Sequence, residues 1–125
     1  MSSMMRVTAF AAALATLAAT AQNGFGAGAM AIGNCAAYGY AFDYKQPAQA
    51  KAAALTKCKG AECKVVATFQ ETCAAFAVDM RQTCGPHGYA TANRLGVAQN
   101  TALRECYKFG GKDCVVRAWA CDAKG

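Results

Sequence analysis

Between residues 36 and 44 large and small side chains alternate, with Tyr38, Tyr40, Phe42 and Tyr44 at one parity and Ala37, Gly39 and Ala41 at the other. A period of two predicts a strand with one bulky face and one small face. The period then changes. Over 47–59, Ala50, Ala54, Leu55 and Cys58 recur at helical spacing. Pro47 suits the first turn of a helix, where its missing N–H costs nothing. A second helical stripe covers 94–107 with Leu95, Ala98, Ala102, Leu103 and Cys106, preceded by Asn93 as an expected N-cap. Gly60 and the Gly110-Gly111 pair mark the two helix C-termini. Segments 63–69 and 114–120 are rich in Val and aromatics and read as strands. Segment 74–78 is a further short strand, turning through the polar residues 79–83 into a strand over 87–91.

These elements repeat. Cys-Ala-Ala-Tyr-Gly-Tyr-Ala from Cys35 matches Cys-Gly-Pro-His-Gly-Tyr-Ala from Cys84. Ala-Leu-Thr-Lys-Cys58 matches Ala-Leu-Arg-Glu-Cys106, and Glu62-Cys63-Lys-Val-Val matches Asp113-Cys114-Val-Val-Arg. Cys73 and Cys121 follow at the ends of the two copies. By this symmetry, 26–32 is the first strand of the first copy. The predicted fold is α+β: two ββαβ repeats, about 24–70 and 73–122, around a pseudo-twofold axis, with antiparallel sheet and two helices. The pattern leaves open one six-stranded sheet or two small ones.

Eight cysteines in 125 residues point to an oxidising compartment. The N-terminus supplies a route there. One Arg in residues 1–6 precedes an uncharged apolar run over 7–18 and the small-residue site Ala19-Thr20-Ala21. This is the anatomy of a secretory signal peptide over 1–21, followed by a single domain over 22–125. The run is too short for the roughly twenty residues of a spanning helix. A second small-residue site, Ala29-Met30-Ala31, lies farther from it. No other stretch approaches spanning length. The repeat also restricts the disulfides: each pair lies within a copy or joins equivalent positions across the axis. The expected pairs are Cys58–Cys63 and Cys106–Cys114 within copies, and Cys73–Cys121 and Cys35–Cys84 between them. Chain entropy assigns about 2 kcal/mol to a six-residue loop and about 4 kcal/mol to one near fifty residues. Bridges of this kind substitute for area in a core made largely of Ala.

The motifs Gly39-Tyr40, Ala-Leu-x-x-Cys58, Glu62-Cys63-Lys-Val-Val, Cys73-Ala-Ala-Phe-Ala and Asp113-Cys114-Val-Val-Arg-Ala-Trp-Ala-Cys121 together resemble the bacterial secreted "domain of unknown function 4189" family. The resemblance spans roughly 24–122. It implies a small exported protein without an assigned activity; some such proteins are discussed as secreted factors acting on other cells. It implies no catalytic residues. Cys35 and Cys84, in the hairpin turns, look like an addition to the family's pattern.

Candidate chemistry is sparse. There is no C-x-x-C and only one histidine, so neither a metal nor another cofactor is expected. His87 would need a nucleophile and an orienting acid to act as a base, and its alignment with Tyr38 gives it the place of an aromatic. Glu62 and Asp113 occupy equivalent positions suited to capping backbone N–H groups at the turns. The candidate contact surface is Tyr38, Tyr40, Phe42, Tyr44, His87 and Tyr89. Exposed, the tyrosine row is a stacking platform for sugar rings or bases; buried, it is the core face under a helix. Thirteen Lys+Arg against seven Asp+Glu give +6, favouring an anionic envelope component or an acidic protein as partner. No nucleic-acid motif accompanies the charge, so nucleic acid is not expected. The sequence therefore predicts a secreted or periplasmic interaction module and not an enzyme. The alternatives are an inhibitor or immunity-type protein against a wall-degrading hydrolase, and a small secreted hydrolase or toxin.

Overall fold

A computed structural model describes residues 26–122. The proposed signal peptide lies outside the described residues. The elements run β1 (Ala27–Ile32), β2 (Tyr38–Tyr44), α1 (Pro47–Lys57), β3 (Lys64–Phe69), β4 (Cys73–Asp79), β5 (His87–Ala92), α2 (Leu95–Lys108) and β6 (Cys114–Cys121). This is ββαβ written twice. The strands form two antiparallel three-stranded sheets, ordered β2-β1-β3 and β5-β4-β6. Each sheet carries its own helix on its outer face, and the inner faces pack together, giving four layers. β2 lies against β6, and β3 against β5, as a twofold between the units requires.

Side-chain size explains the layers. The central strands β1 and β4 are buried along their whole length. Their large residues, Met30, Ile32, Phe76 and Val78, point between the sheets, where Phe69 joins them. Full burial of such a side chain stabilises by about 1.5–3 kcal/mol. Their small residues face the helices: Ala27, Ala29 and Ala31 in one unit, Cys73, Ala75 and Ala77 in the other. The helices answer with Ala50 and Ala54, and with Ala98, Ala102 and Cys106. Only small residues fit there because the helices sit very close. A Cβ on Gly39 would collide with the Ala54 carbonyl, and one on Gly88 with the Ala102 carbonyl. Leu55 consequently lies outside this interface, exposed.

The bridges reinforce these thin interfaces. Cys58–Cys63 and Cys106–Cys114 fasten each helix end to the start of the following strand. Cys35–Cys84 joins the two hairpin turns across the axis. Cys73–Cys121 differs from the sequence expectation, because it does not link the units. Both residues belong to the second sheet, where they are direct partners in the β4–β6 ladder. Cys73 ends the first copy in sequence but opens the second unit in space.

Local details differ in three further places. α2 starts at Leu95 with Arg94 at the N-cap and no side-chain cap bond, so Asn93 stands one residue too early to cap it. Cys58 itself ends α1, two residues before Gly60, whereas Gly110 takes φ +100° after α2. Glycine adopts that conformation without a Cβ penalty. The small-residue site Ala29-Met30-Ala31 lies inside buried β1, and cleavage after Ala31 would leave only Ile32 of that strand.

Candidate functional site

β2 is an outer strand, and its bulky face looks across the gap between the sheets. Tyr38 and Tyr40 lie nearly parallel, 6.3 Å between ring centroids and 2° between planes. Phe42 continues the row 6.3 Å beyond Tyr40 at 18°. Tyr38 and Tyr40 are half-buried against the intersheet core, and Phe42 is 47% exposed. The row is therefore neither a free platform nor a buried face. Its inner end is packed and its outer end is open.

Tyr44 does not belong to it. Asp43 has φ 62°, and the β1–β2 register shifts between Ala27 and Ala29. A bulge inserts one residue and turns the next side chain to the other face. Tyr44 consequently packs on the helix side with the alanine cluster.

The opposite wall is β6. It too is bulged, between the residues facing Phe76 and Ala77, which lifts Arg117 out of the ladder. The Arg117 guanidinium carbon stands 5.7 Å from the Tyr38 ring centroid, a cation–π contact. The groove between β2 and β6 has a volume of about 490 Å³. Tyr38, Tyr40, Phe42, Arg117 and Trp119 line it, and Trp119 is 51% exposed. On the other side of the same aromatic row, a smaller cleft is closed by Lys57 of α1. No acidic side chain lines either cleft.

His87 and Tyr89 lie on β5, the twofold counterpart of β2, and so do not share this surface. They line a separate cleft of about 700 Å³ with Glu105 and Phe109. The His87 ring meets the edge of Phe76 at 6.0 Å between centroids, and its Nδ1 lies 3.2 Å from the Gly85 carbonyl. Tyr38 contacts the same Phe76 at 6.4 Å, so the two equivalent residues flank one core ring. The alignment of His87 with an aromatic is thus a packing fact.

Two buried aspartates hold the loops around these clefts. Asp79 accepts hydrogen bonds from the backbone N–H groups of Arg81, Lys112 and Asp113. Those bonds, led by that of Arg81, hold its carboxyl below the usual range against the opposing effect of burial. The capping carboxylate of this turn is therefore Asp79, not Asp113. In the first unit the Glu62 carboxylate accepts instead from Asn34 Nδ2 at 3.1 Å. Asp122 accepts from the N–H groups of Asp43 and Glu71, joining the ends of β2 and β6. Burial raises its pKa, and the neighbouring Asp43 carboxyl adds to the rise. The sequence pattern singled out neither aspartate for this role, because Asp122 serves only backbone distant along the chain and Asp79 adds two such N–H groups, of Lys112 and Asp113, to the local one of Arg81.

Comparison with known proteins yields a family. A family model described as "Domain of unknown function (DUF4189)" matches residues 25–121. No curated protein and no solved structure matches the chain.

Proposed function

We propose, for a chain that belongs to the DUF4189 family, the role of an exported binding module that meets its partner along the β2–β6 groove. The supporting observation is the groove itself: an aromatic row with one open end, walled by Arg117 and Trp119. Partly exposed tyrosines present an apolar ring with a wet hydroxyl, a composition favoured at contact surfaces. Four disulfides hold this surface in place and suit an oxidising compartment, periplasmic or extracellular. The partner is a protein or an anionic envelope component, consistent with the net charge of +6.

Binding is favoured over catalysis. The His87 ring packs on the edge of Phe76 with its Nδ1 at the Gly85 carbonyl, and all eight cysteines are in bridges, which leaves no thiolate to attack. The test is a pull-down from envelope and host extracts with oxidised protein, run beside Phe42→Ala. A partner retained saturably by the native chain and lost with Phe42→Ala supports the reading. Retention of nothing, or equal retention by the variant, overturns it.

A further inference from the structure

We infer that the groove's ligand is an acidic polysaccharide chain, lying along β2 with its sugar rings on the aromatic row and a carboxylate at Arg117. The inference rests on the binding role proposed above and names its ligand class. It draws on an internal comparison that the twofold supplies.

β2 and β5 are equivalent strands with equivalent surroundings. On β2 the outward positions are Tyr38, Tyr40 and Phe42; on β5 they are His87, Tyr89 and Thr91. Across the gap, the bulge of β6 carries Arg117 and the matching bulge of β3 carries Val66. Behind each strand, the residue before the helix cysteine is Lys57 in one unit and Glu105 in the other. Thus one side of the molecule has a continuous aromatic row with a cation on each flank. The other has an interrupted row, an aliphatic residue and an acid. Packing alone does not require this difference, since both sides close the same core. Arg117, in particular, is exposed where its counterpart Val66 is packed.

The chemistry of the richer side selects the ligand. A pyranose ring offers a face of C–H bonds whose weakly positive hydrogens suit the negative face of an aromatic ring. Rings repeated along an extended strand suit a ligand that is itself a repeating chain. Arg117, exposed and with its guanidinium carbon 5.7 Å from the Tyr38 ring centroid, carries a planar fork of donors that suits a carboxylate held bidentately. Lys57 supplies a second, less directional charge on the other flank. The lining residues include no carboxylate to repel such a ligand.

Trp119 is the only tryptophan and lines the groove, so its fluorescence reports binding there. The experiment titrates the full oxidised chain with a hexameric uronic-acid oligosaccharide, its carboxyl-reduced neutral counterpart, and oligo-deoxythymidylate. The uronate should bind saturably, at least tenfold more tightly than the neutral form, and weaken as salt rises. Phe42→Ala and Arg117→Gln should each weaken it at least tenfold, with Arg117→Gln also erasing the preference over the neutral sugar. Thr91→Ala and Glu105→Gln on the opposite side should leave it unchanged. Phe42 and Arg117 are exposed, and their variants should retain the native melting temperature. Equal affinity for acidic and neutral sugars, tighter binding of the oligonucleotide, or no saturable signal overturns the inference. If the extract pull-down still returns a Phe42-dependent, protease-sensitive partner, the binding role stands and only the saccharide is wrong.

Discussion

At the end of the first sheet the Phe69 ring lies across Gly28, so closely that a Cβ there would strike it. At the same end of the second sheet the partner of Ala74 on β6 is the small Ala120, and one residue farther out Cys73 is bonded to Cys121. The same topology is thus closed by an aromatic ring in one unit and by a covalent bridge in the other. The turn junctions diverge in the same way. The first uses a side-chain pair, Asn34 with Glu62, at the surface; the second uses one buried carboxylate, Asp79, against three backbone N–H groups. A fold of this kind needs each junction held, but does not dictate the chemistry that holds it. The outer strands differ likewise: β2 carries Tyr38, Tyr40 and Phe42 where β5 carries His87, Tyr89 and Thr91.

The comparison can be broken by removing each device in turn. Phe69→Ala takes a ring out of the intersheet core and should cost about 3–5 kcal/mol, read by urea denaturation. If it costs under about 1 kcal/mol, the ring is not what closes the first sheet. Cys73→Ser with Cys121→Ser opens a loop of sequence separation 48 and should cost about 4 kcal/mol by the same measurement. Cys58→Ser with Cys63→Ser opens a loop of separation 5 and should cost about 2 kcal/mol. A reversed order of these two pairs would show that native-state packing around the sulfurs outweighs chain entropy.

The aspartates make opposite pH predictions. The lowered pKa of Asp79 means that its contribution is complete above the ordinary carboxyl value and is lost as pH falls through the lowered one. The raised pKa of Asp122 means the reverse: its contribution is present below the ordinary value and lost as pH rises through the raised one. Asp79→Asn should therefore flatten the acid limb of the stability–pH curve, and Asp122→Asn the decline from acidic toward neutral pH. Thermal melts across that range separate them. The smallest expected change is Arg117→Val, which makes the two bulges alike. Stability should move by no more than about 0.5 kcal/mol, while saccharide binding should fall. A large loss of stability would make Arg117 a structural residue.

Much of this architecture was legible because it obeys local periods. The alternation Tyr38–Gly39–Tyr40–Ala41 states which face of β2 meets the helix, and the two Ala-Leu-x-x-Cys helices state the repeat. What escaped was non-local or set by backbone geometry. No composition marks Asp43 as the residue that takes positive φ and turns Tyr44 away. The partnership of Cys73 with Cys121 was expected from symmetry, yet its place inside one sheet depends on where the second unit begins in space. Asp79 read only as part of a polar turn, and Asp122 not at all, because the N–H groups of Lys112 and Asp113, and of Asp43 and Glu71, come from other parts of the chain. Arg117 meets Tyr38 only because two separate sheets stack, so the wall of the groove could not be seen from either strand alone.

The two long bridges also overlap along the chain. Cys35–Cys84 encloses everything from 35 to 84, and Cys73–Cys121 everything from 73 to 121. One backbone scission anywhere between residues 35 and 121 therefore releases no fragment. In a compartment rich in proteases, a nicked molecule would migrate as one species until its sulfurs were reduced, and its two pieces would remain paired for re-closure of the fold.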